Sequence, residues 1–418
     1  MQRSKLSVVA VTSVLIMLTL MRRWNAEAVP AFARKFAVSC AACHTTPPRL
    51  NKTGYRFRAA GFRWPEAIGR KESMERFDIL DYMSARIQVR YTANRSKTGS
   101  TAASTRNEIK LQALELYPFI GSWGKYFSAD SKVTFEPGRT AAIENAYLKA
   151  NVGNEKRSFV VRAGIFHPFD GYGASDSPAT ISRPFFQTTP ANQGTSTFFT
   201  TWGFDQLGTE VGFDYSRTSV RAAFLNGLVL SKEDGPFKAS AAHGGTLTAR
   251  SVGPSSNTPD FQLFVNYILD SDGGGISLHY YHGNLALPVD STGVFFLNKF
   301  DRVALYASYP VAKRLQVLGG FQRGRDHLPT GGKFSNEGAF VEAAFPINAL
   351  SAAGVRYDWF DPARGKVNNE LKGITAYVNA WFYEQFRIVA EYQHKNTRRG
   401  LAPEQHDDVF QVRFIYFK

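Results

Sequence analysis

From about Ala85 to the C-terminus, apolar and polar residues alternate with a period of two. Ile87, Val89 and Tyr91 alternate with Arg86, Gln88 and Arg90, and Phe159, Val161, Ala163 and Ile165 enclose Arg162. The same pattern returns at Leu207, Val211, Phe213 and Tyr215 against Glu210 and Asp214, and at Phe261, Leu263, Val265 and Tyr267 against Gln262 and Asn266. It recurs near the end of the chain, where Phe386, Ile388, Ala390 and Tyr392 flank Arg387 and Glu391. A period of two marks strands with two unlike faces. One face is apolar and often ends in an aromatic; the other carries charges of both signs. A soluble sandwich also alternates, but its strands are usually shorter. Many of these segments run about ten residues, the length a tilted strand needs to cross a bilayer, and terminal aromatics suit the two interfacial girdles.

About sixteen such segments are present, an even number of the kind bacterial outer-membrane barrels use. Their cores lie at 85–92, 109–117, 126–135, 143–152, 158–166, 205–215, 219–226, 260–269, 275–283, 300–309, 315–324, 336–345, 351–358, 372–382, 386–393 and 408–417. The connections alternate too. Gly153 to Lys156, Ser216 to Thr218 and Tyr383 to Gln385 are short turns, whereas 167–204 and 227–259 are long and rich in Gly, Ser and Pro. Short turns on one side and long loops on the other are the outer-membrane pattern, with the chain ends of an even-stranded barrel on the periplasmic side. The last strand, with Phe410, Val412, Phe414 and Tyr416, ends at Lys418 rather than on the terminal Phe that many such proteins carry. The loop around Gly171 to Asp176 lacks the lysine and the strand–helix context of a phosphate cradle. It reads as an extracellular loop that folds inward, with Asp170 and Asp176 placed to attract a cation.

Composition supports strands over helices. Among 418 residues, 34 Phe, 18 Tyr and 35 Gly occur without a long apolar run after Val29. The net charge is +15. No basic helix, zinc-finger spacing or RNA-binding motif accompanies it, so nucleic acid is not the expected partner. The charge instead suits a lumen lining, anionic lipid headgroups or haem propionates. At the N-terminus, Arg3 and Lys5 precede an apolar run from Val8 to Leu20 and an Ala26-Glu27-Ala28 site, the layout of a signal peptide over 1–28. Arg22 and Arg23 directly after the apolar run are unusual for one.

Residues 29–77 form a separate basic segment ahead of the barrel at 78–418. Its core is Cys40-Ala41-Ala42-Cys43-His44, which contains the only two cysteines of the chain. C-x-x-C-H is the attachment signature of a c-type haem: two thiols add to the vinyl groups and the following histidine is the proximal iron ligand. A redox disulfide lacks its βαβ context here, and a zinc site lacks nearby ligands. After Pro47-Pro48, Arg49 to Phe62 reads as a short helix with Leu50, Tyr55, Phe57 and Phe62 on its apolar side. So small a segment cannot bury a core alone, so a haem and a surrounding wall are expected to complete it. The expected fold is all-β: a transmembrane antiparallel β-barrel of about sixteen strands, with a small, mostly α, N-terminal haem segment plugging it. Arg86, Arg90, Arg162, Arg221, Arg387 and Arg413 fall on the expected lumen face as candidates for the propionates.

The run Phe32 to His44, followed by Pro47-Pro48-Arg49-Leu50-Asn51, Gly54 and Gly61-Phe62, resembles the start of the fused monohaem cytochrome–porins of bacterial outer membranes. That family includes outer-membrane iron oxidases. The close resemblance covers about 35 residues, and over the barrel it is architectural. It implies one covalent haem c on Cys40 and Cys43, His44 as axial ligand, and electron transfer across the outer membrane. It also implies an oxidoreductase that takes electrons from extracellular Fe(II) or another donor and passes them to a periplasmic c-type cytochrome or cupredoxin. The second axial ligand stays open between Met74, Met83, a lumen histidine such as His279 or His167, and an unfilled position. The alternatives in function are a solute porin with a haem-binding sensor or accessory segment, outward transfer to an extracellular acceptor, and a periplasmic peroxidase, for which no distal acid–base pair is evident.

Overall fold

The computed structural model describes residues 31–70, 78–138, 141–167, 179–188, 190–193, 196–199, 206–226, 228–230, 247–249, 259–270, 272–288, 295–312, 314–327, 331–382 and 385–418. The expected signal peptide, Met74 and the 171–176 loop lie outside them.

Sixteen antiparallel strands close into a barrel. They are β1 (Ser84–Thr98), β2 (Ser104–Trp123), β3 (Phe127–Phe135), β4 (Ala142–Gly153), β5 (Arg157–Phe166), β6 (Gln206–Tyr215), β7 (Thr218–Leu225) and β8 (Asp260–Ile268). They continue as β9 (Gly275–Pro288), β10 (Phe295–Ala312), β11 (Leu315–His327), β12 (Lys333–Asn348), β13 (Ser351–Asp361), β14 (Leu371–Phe382), β15 (Phe386–Arg399) and β16 (Ala402–Phe417). β16 pairs with β1 from Gln405↔Thr98 to Phe417↔Arg86 and closes the ring. β7 pairs directly with β8, and the described residues of the long connection between them form a short ribbon, 228–230 with 247–249. Closure leaves no unpaired edge, the condition for a sheet in lipid.

The alternation sorts side chains to the two faces of this wall. Ile109, Leu148, Phe159, Phe213, Leu305 and Phe414 stand exposed on the outside, while Arg162, Glu210, Gln262, Asn266, Arg387 and Glu391 are buried on the inside. An apolar exterior around a polar interior is the pattern of a transmembrane barrel. Each expected strand core lies within or overlaps an observed strand. The strands run longer than expected, to 20 residues in β2 and 18 in β10. Where they extend toward the long loops, the outward residues turn polar, so periodicity of an apolar face stops short of the strand end.

The N-terminal segment contributes α1 (Ala31–Phe36), a tight turn at Cys40–Ala42, a ribbon pairing His44–Thr46 with Arg49–Leu50, and α2 (Lys52–Ala59). The helix expected over 49–62 is thus shorter. Asn51 is its N-cap, accepting from Gly54 N at 2.9 Å, which commits Arg49 and Leu50 to the ribbon. At its end Gly61 and Phe62 adopt positive φ and turn the chain away. Phe57 holds the aromatic core of the segment, with Phe32 at 5.1 Å and Trp64 at 5.4 Å between ring centroids.

This segment sits in the barrel at the end that carries the short turns. Arg63 donates to the carbonyls of Lys125 (2.5 Å) and Phe127 (2.7 Å), Lys149 Nζ donates to Ala59 O (2.8 Å), and Asn379 Nδ2 donates to Pro47 O (2.8 Å). A second inward element, residues 179–188, ends in the one-turn helix α3 (Phe185–Thr188). Glu391 accepts from the Ile181 and Ser182 amides, and Arg356 donates to Thr180 Oγ1 (2.9 Å) and Ser182 O (3.0 Å). This strap follows directly on the loop expected to fold inward.

Candidate functional site

A cavity of about 400 Å³ lies in the lumen between the N-terminal segment, the strap and the wall. Cys40, Cys43 and His44 line it together with Phe32, Leu50 and Phe57 from the same segment. Thr180, Pro184 and Gln187 close it from the strap, and Phe340, Trp381 and Phe417 from the wall. Its size and mostly apolar lining with a few placed polar groups are those of a cofactor site.

The local sequence explains how the motif is presented. Backbone bonds from Ala42 N to Ser39 O (3.0 Å) and from Cys43 N to Cys40 O (3.1 Å) wind Cys40 to Cys43 into one turn, which brings both thiols to one side. Asn51 clamps that turn onto α2: its amide N donates to Cys43 O at 3.0 Å, and its side-chain Nδ2 donates to Ala42 O at 3.2 Å. Gly54 is required for the same contact, since a Cβ there would overlap the Cys43 carbonyl oxygen. Its role is close approach rather than an unusual φ.

No disulfide joins Cys40 to Cys43. Burial pushes the Cys43 thiol pKa up, the opposite of the shift that makes a reactive redox thiolate. Burial likewise lowers the His44 pKa to about 4, helped by the nearby Arg58 charge and opposed by the adjacent backbone of Arg49 and Pro48. His44 is therefore neutral at physiological pH, the form in which imidazole ligates a metal. Its Nδ1 is buried with no hydrogen-bond partner. An imidazole and two thiols lining one mostly apolar chamber, with no further cysteine or histidine beside them among the described residues, fit a covalent haem better than zinc. Among the described residues no group of three or more His, Cys, Asp or Glu is placed to hold a metal ion.

Four arginines line the cavity: Arg49, Arg58, Arg86 and Arg356. Arg49 pairs with Glu342, donates to Gln316 Oε1 at 3.0 Å, and lies 3.3 Å from Tyr377 Oη. Arg86 pairs with Glu115, and Arg356 with Asp358 at 2.8 Å. Of the six arginines expected on the lumen face, only Arg86 is among the cavity's lining residues. Arg162 pairs with Glu210 (2.7 Å), Arg221 with Asp214 (2.6 Å), and Arg387 donates to Asn379 Oδ1 (2.9 Å) within the wall. Arg413 reaches Ile181 O at 3.4 Å, and Arg90 does not line the chamber. Arg49, Arg58 and Arg356 were missed as candidates. For Arg356 the signal was present, because it alternates with Gly354 and Asp358 on the inward face.

His44 is the only histidine lining the chamber among the described residues, and no methionine joins it there. His279 points inward but packs between Phe264 (4.8 Å) and Tyr306 (5.3 Å) in the wall. His167 follows the end of β5 and Met83 is exposed beside α1, with its carbonyl accepting from Arg34 at 2.8 Å.

The barrel has the fold of bacterial outer-membrane porins. It is similar to the anion-selective porin from Comamonas acidovorans, with a TM-score of 0.53 and 12% identity over 80% of this chain and 99% of that one. It is also similar to OmpT, an outer membrane protein of Vibrio cholerae, with a TM-score of 0.50 and 10% identity over 83% and 100% of the two chains. At such identities the likeness is one of fold. No protein-family model and no curated protein sequence matches the chain.

Proposed function

We propose that this chain is an outer-membrane barrel that carries one haem c in its lumen and moves electrons across the membrane. The direction implied by the N-terminal resemblance is from extracellular Fe(II) or another donor to a periplasmic c-type cytochrome or cupredoxin. The observation that carries the reading is the lumen cavity into which Cys40, Cys43 and His44 all open. A haem held there would supply a one-electron couple. Cys40 and Cys43 would tether it, and the neutral His44 imidazole would ligate its iron. Arg49, Arg58, Arg86 and Arg356 supply the cationic side of the chamber, suited to carboxylates. Phe340, Trp381, Phe417 and the strap exclude water, which tunes a metal site through burial.

The test is a haem stain and an anaerobic Fe(II) titration of the purified barrel in lipid. Covalent haem that Fe(II) reduces supports the reading, and a chain without haem refutes it. A second reading is a solute porin with a haem-binding accessory segment. The porin fold supports it, as does the set of arginines buried along the wall. Planar-bilayer conductance separates the two: a conduit filled by its N-terminal segment passes little ion current, and an open pore passes much. Outward transfer to an extracellular acceptor would leave haem content unchanged and reverse the direction in which the bound couple is oxidised.

A further inference from the structure

The outer wall repeats one arrangement of side chains at two separate places. Across β9, β10 and β11, His282 stands opposite Asp301, and Asp301 opposite Arg325. Across β15, β16 and β1, His394 stands opposite Asp408, and Asp408 opposite Arg95. In both rows a tyrosine two residues before the histidine donates to the same aspartate. Tyr280 Oη lies 3.0 Å from Asp301 Oδ1 and Tyr392 Oη 2.8 Å from Asp408 Oδ1. The two histidines meet those oxygens through Nδ1, at 2.9 Å and 2.8 Å.

Position along the barrel says what these rows face. All these residues share the outward parity of their strands. On the side of the short turns, the next outward row is Tyr280, Val303 and Arg323 at one site and Tyr392, Phe410 and Ala93 at the other. The row beyond is apolar or aromatic throughout: Leu278, Leu305 and Phe321, and Ala390, Val412 and Tyr91. Toward the long loops the outward residues become polar, with Asn396, His406 and Lys97 forming the next row after His394. Each His–Asp–Arg row therefore lies where the apolar belt gives way, at the level of lipid headgroups on the long-loop side. The aspartate takes the Nδ1 proton and the tyrosine hydroxyl, so Nε2 of each histidine and the guanidinium beside it are the groups left to meet an outside ligand. At the second site Lys97 stands one row further toward the long loops; at the first, Arg323 stands one row toward the short turns and pairs with Glu337 at 3.4 Å. Such a set is made for a tetrahedral oxyanion held at a membrane surface.

We propose that the two rows are paired binding sites for the phosphates of an outer-leaflet phosphorylated glycolipid of the lipid A class. The proposal is independent of any haem. It is tested by native mass spectrometry and lipid titration of the full-length detergent-solubilised barrel, using diphosphorylated lipid A, its dephosphorylated analogue and inorganic phosphate as probes. Wild type is expected to retain up to two lipid A molecules and to prefer them to the dephosphorylated analogue. The Arg95→Gln/Arg325→Gln double variant, which loses one basic contact at each site, is expected to bind about fivefold more weakly at both, on the order of 1 kcal/mol per basic contact. Single variants should each weaken one of the two binding steps and leave the other unchanged, which a general loss of folding would not do, and heat-modified gel mobility reports barrel integrity in parallel. Equal binding of phosphorylated and dephosphorylated lipid, or binding unchanged in the double variant, overturns the proposal. Displacement of lipid A by millimolar inorganic phosphate overturns the lipid assignment as well.

Discussion

Replacing Asn51 separates two jobs that one side chain performs. Its Oδ1 caps α2 by accepting from Gly54 N at 2.9 Å, and its Nδ2 donates to Ala42 O at 3.2 Å and to Ala41 O at 3.4 Å. Asn51→Asp keeps the cap, since Asp caps as well as Asn, and replaces the donor with an acceptor that faces two carbonyl oxygens. Asn51→Ala removes both functions. The cap is worth about 1 kcal/mol and the clamp, with its long bonds, about another 1 kcal/mol, rising when a repelling oxygen replaces the donor. Hydrogen exchange reads each separately. In Asn51→Asp, amides of 39–44 should exchange roughly five- to thirtyfold faster, as 1–2 kcal/mol of local opening implies, while 52–59 stay protected. In Asn51→Ala both peptides should speed up. Unchanged exchange at 39–44 in Asn51→Asp would refute the idea that Asn51 fixes the Cys40–His44 turn to α2.

Further outcomes follow from the same geometry. Gly54→Ala should displace the motif through overlap with the Cys43 carbonyl, at a cost of about 1–3 kcal/mol, seen as a lower urea midpoint for the N-terminal segment and reduced covalent haem. Arg49→Met should leave buried Glu342 without its cationic partner, holding the Tyr377 hydroxyl alone, and cost about 3 kcal/mol, read as lowered thermal stability and raised ion conductance, with Arg49→Met/Glu342→Met recovering most of it. The His44 pKa near 4, below its ordinary 6.5, means the haem-free folded segment takes up its proton later than the unfolded chain as pH falls. Stability present above pH 6.5 should therefore drop between 6.5 and 4 by about 3 kcal/mol, and His44→Gln should flatten that dependence in urea unfolding. Arg356→Met should release the strap at Thr180 and Ser182, detected as proteolytic cleavage near 179–188.

The barrel was legible because period two survives wherever one face meets lipid and the other meets a polar lumen. Arg162 between Val161 and Ala163, or Glu391 between Ala390 and Tyr392, declares its side by neighbours alone. Strand ends were not legible, because beyond the bilayer both faces are polar and alternation carries no hydrophobic signal. The Cys40–His44 turn was readable as a motif, but its chamber was not. Phe340, Arg356, Trp381 and Thr180 come from distant strands and the strap, and only closure of the sheet brings them together. The helix start was misjudged because Arg49 and Leu50 suit a helix locally, while the ribbon to His44 and the Asn51 cap win in the folded chain. Arg162 and Arg221 looked like propionate partners from parity alone, and parity does not report that Glu210 and Asp214 already face them.

The most direct test of the account is the intact mass of the mature protein purified from outer membranes. One haem is predicted per chain, on a peptide containing Cys40 and Cys43, and absent from Cys40→Ala/Cys43→Ala. A mature chain with both thiols unmodified, made in cells that attach haem to other c-type cytochromes, would contradict it.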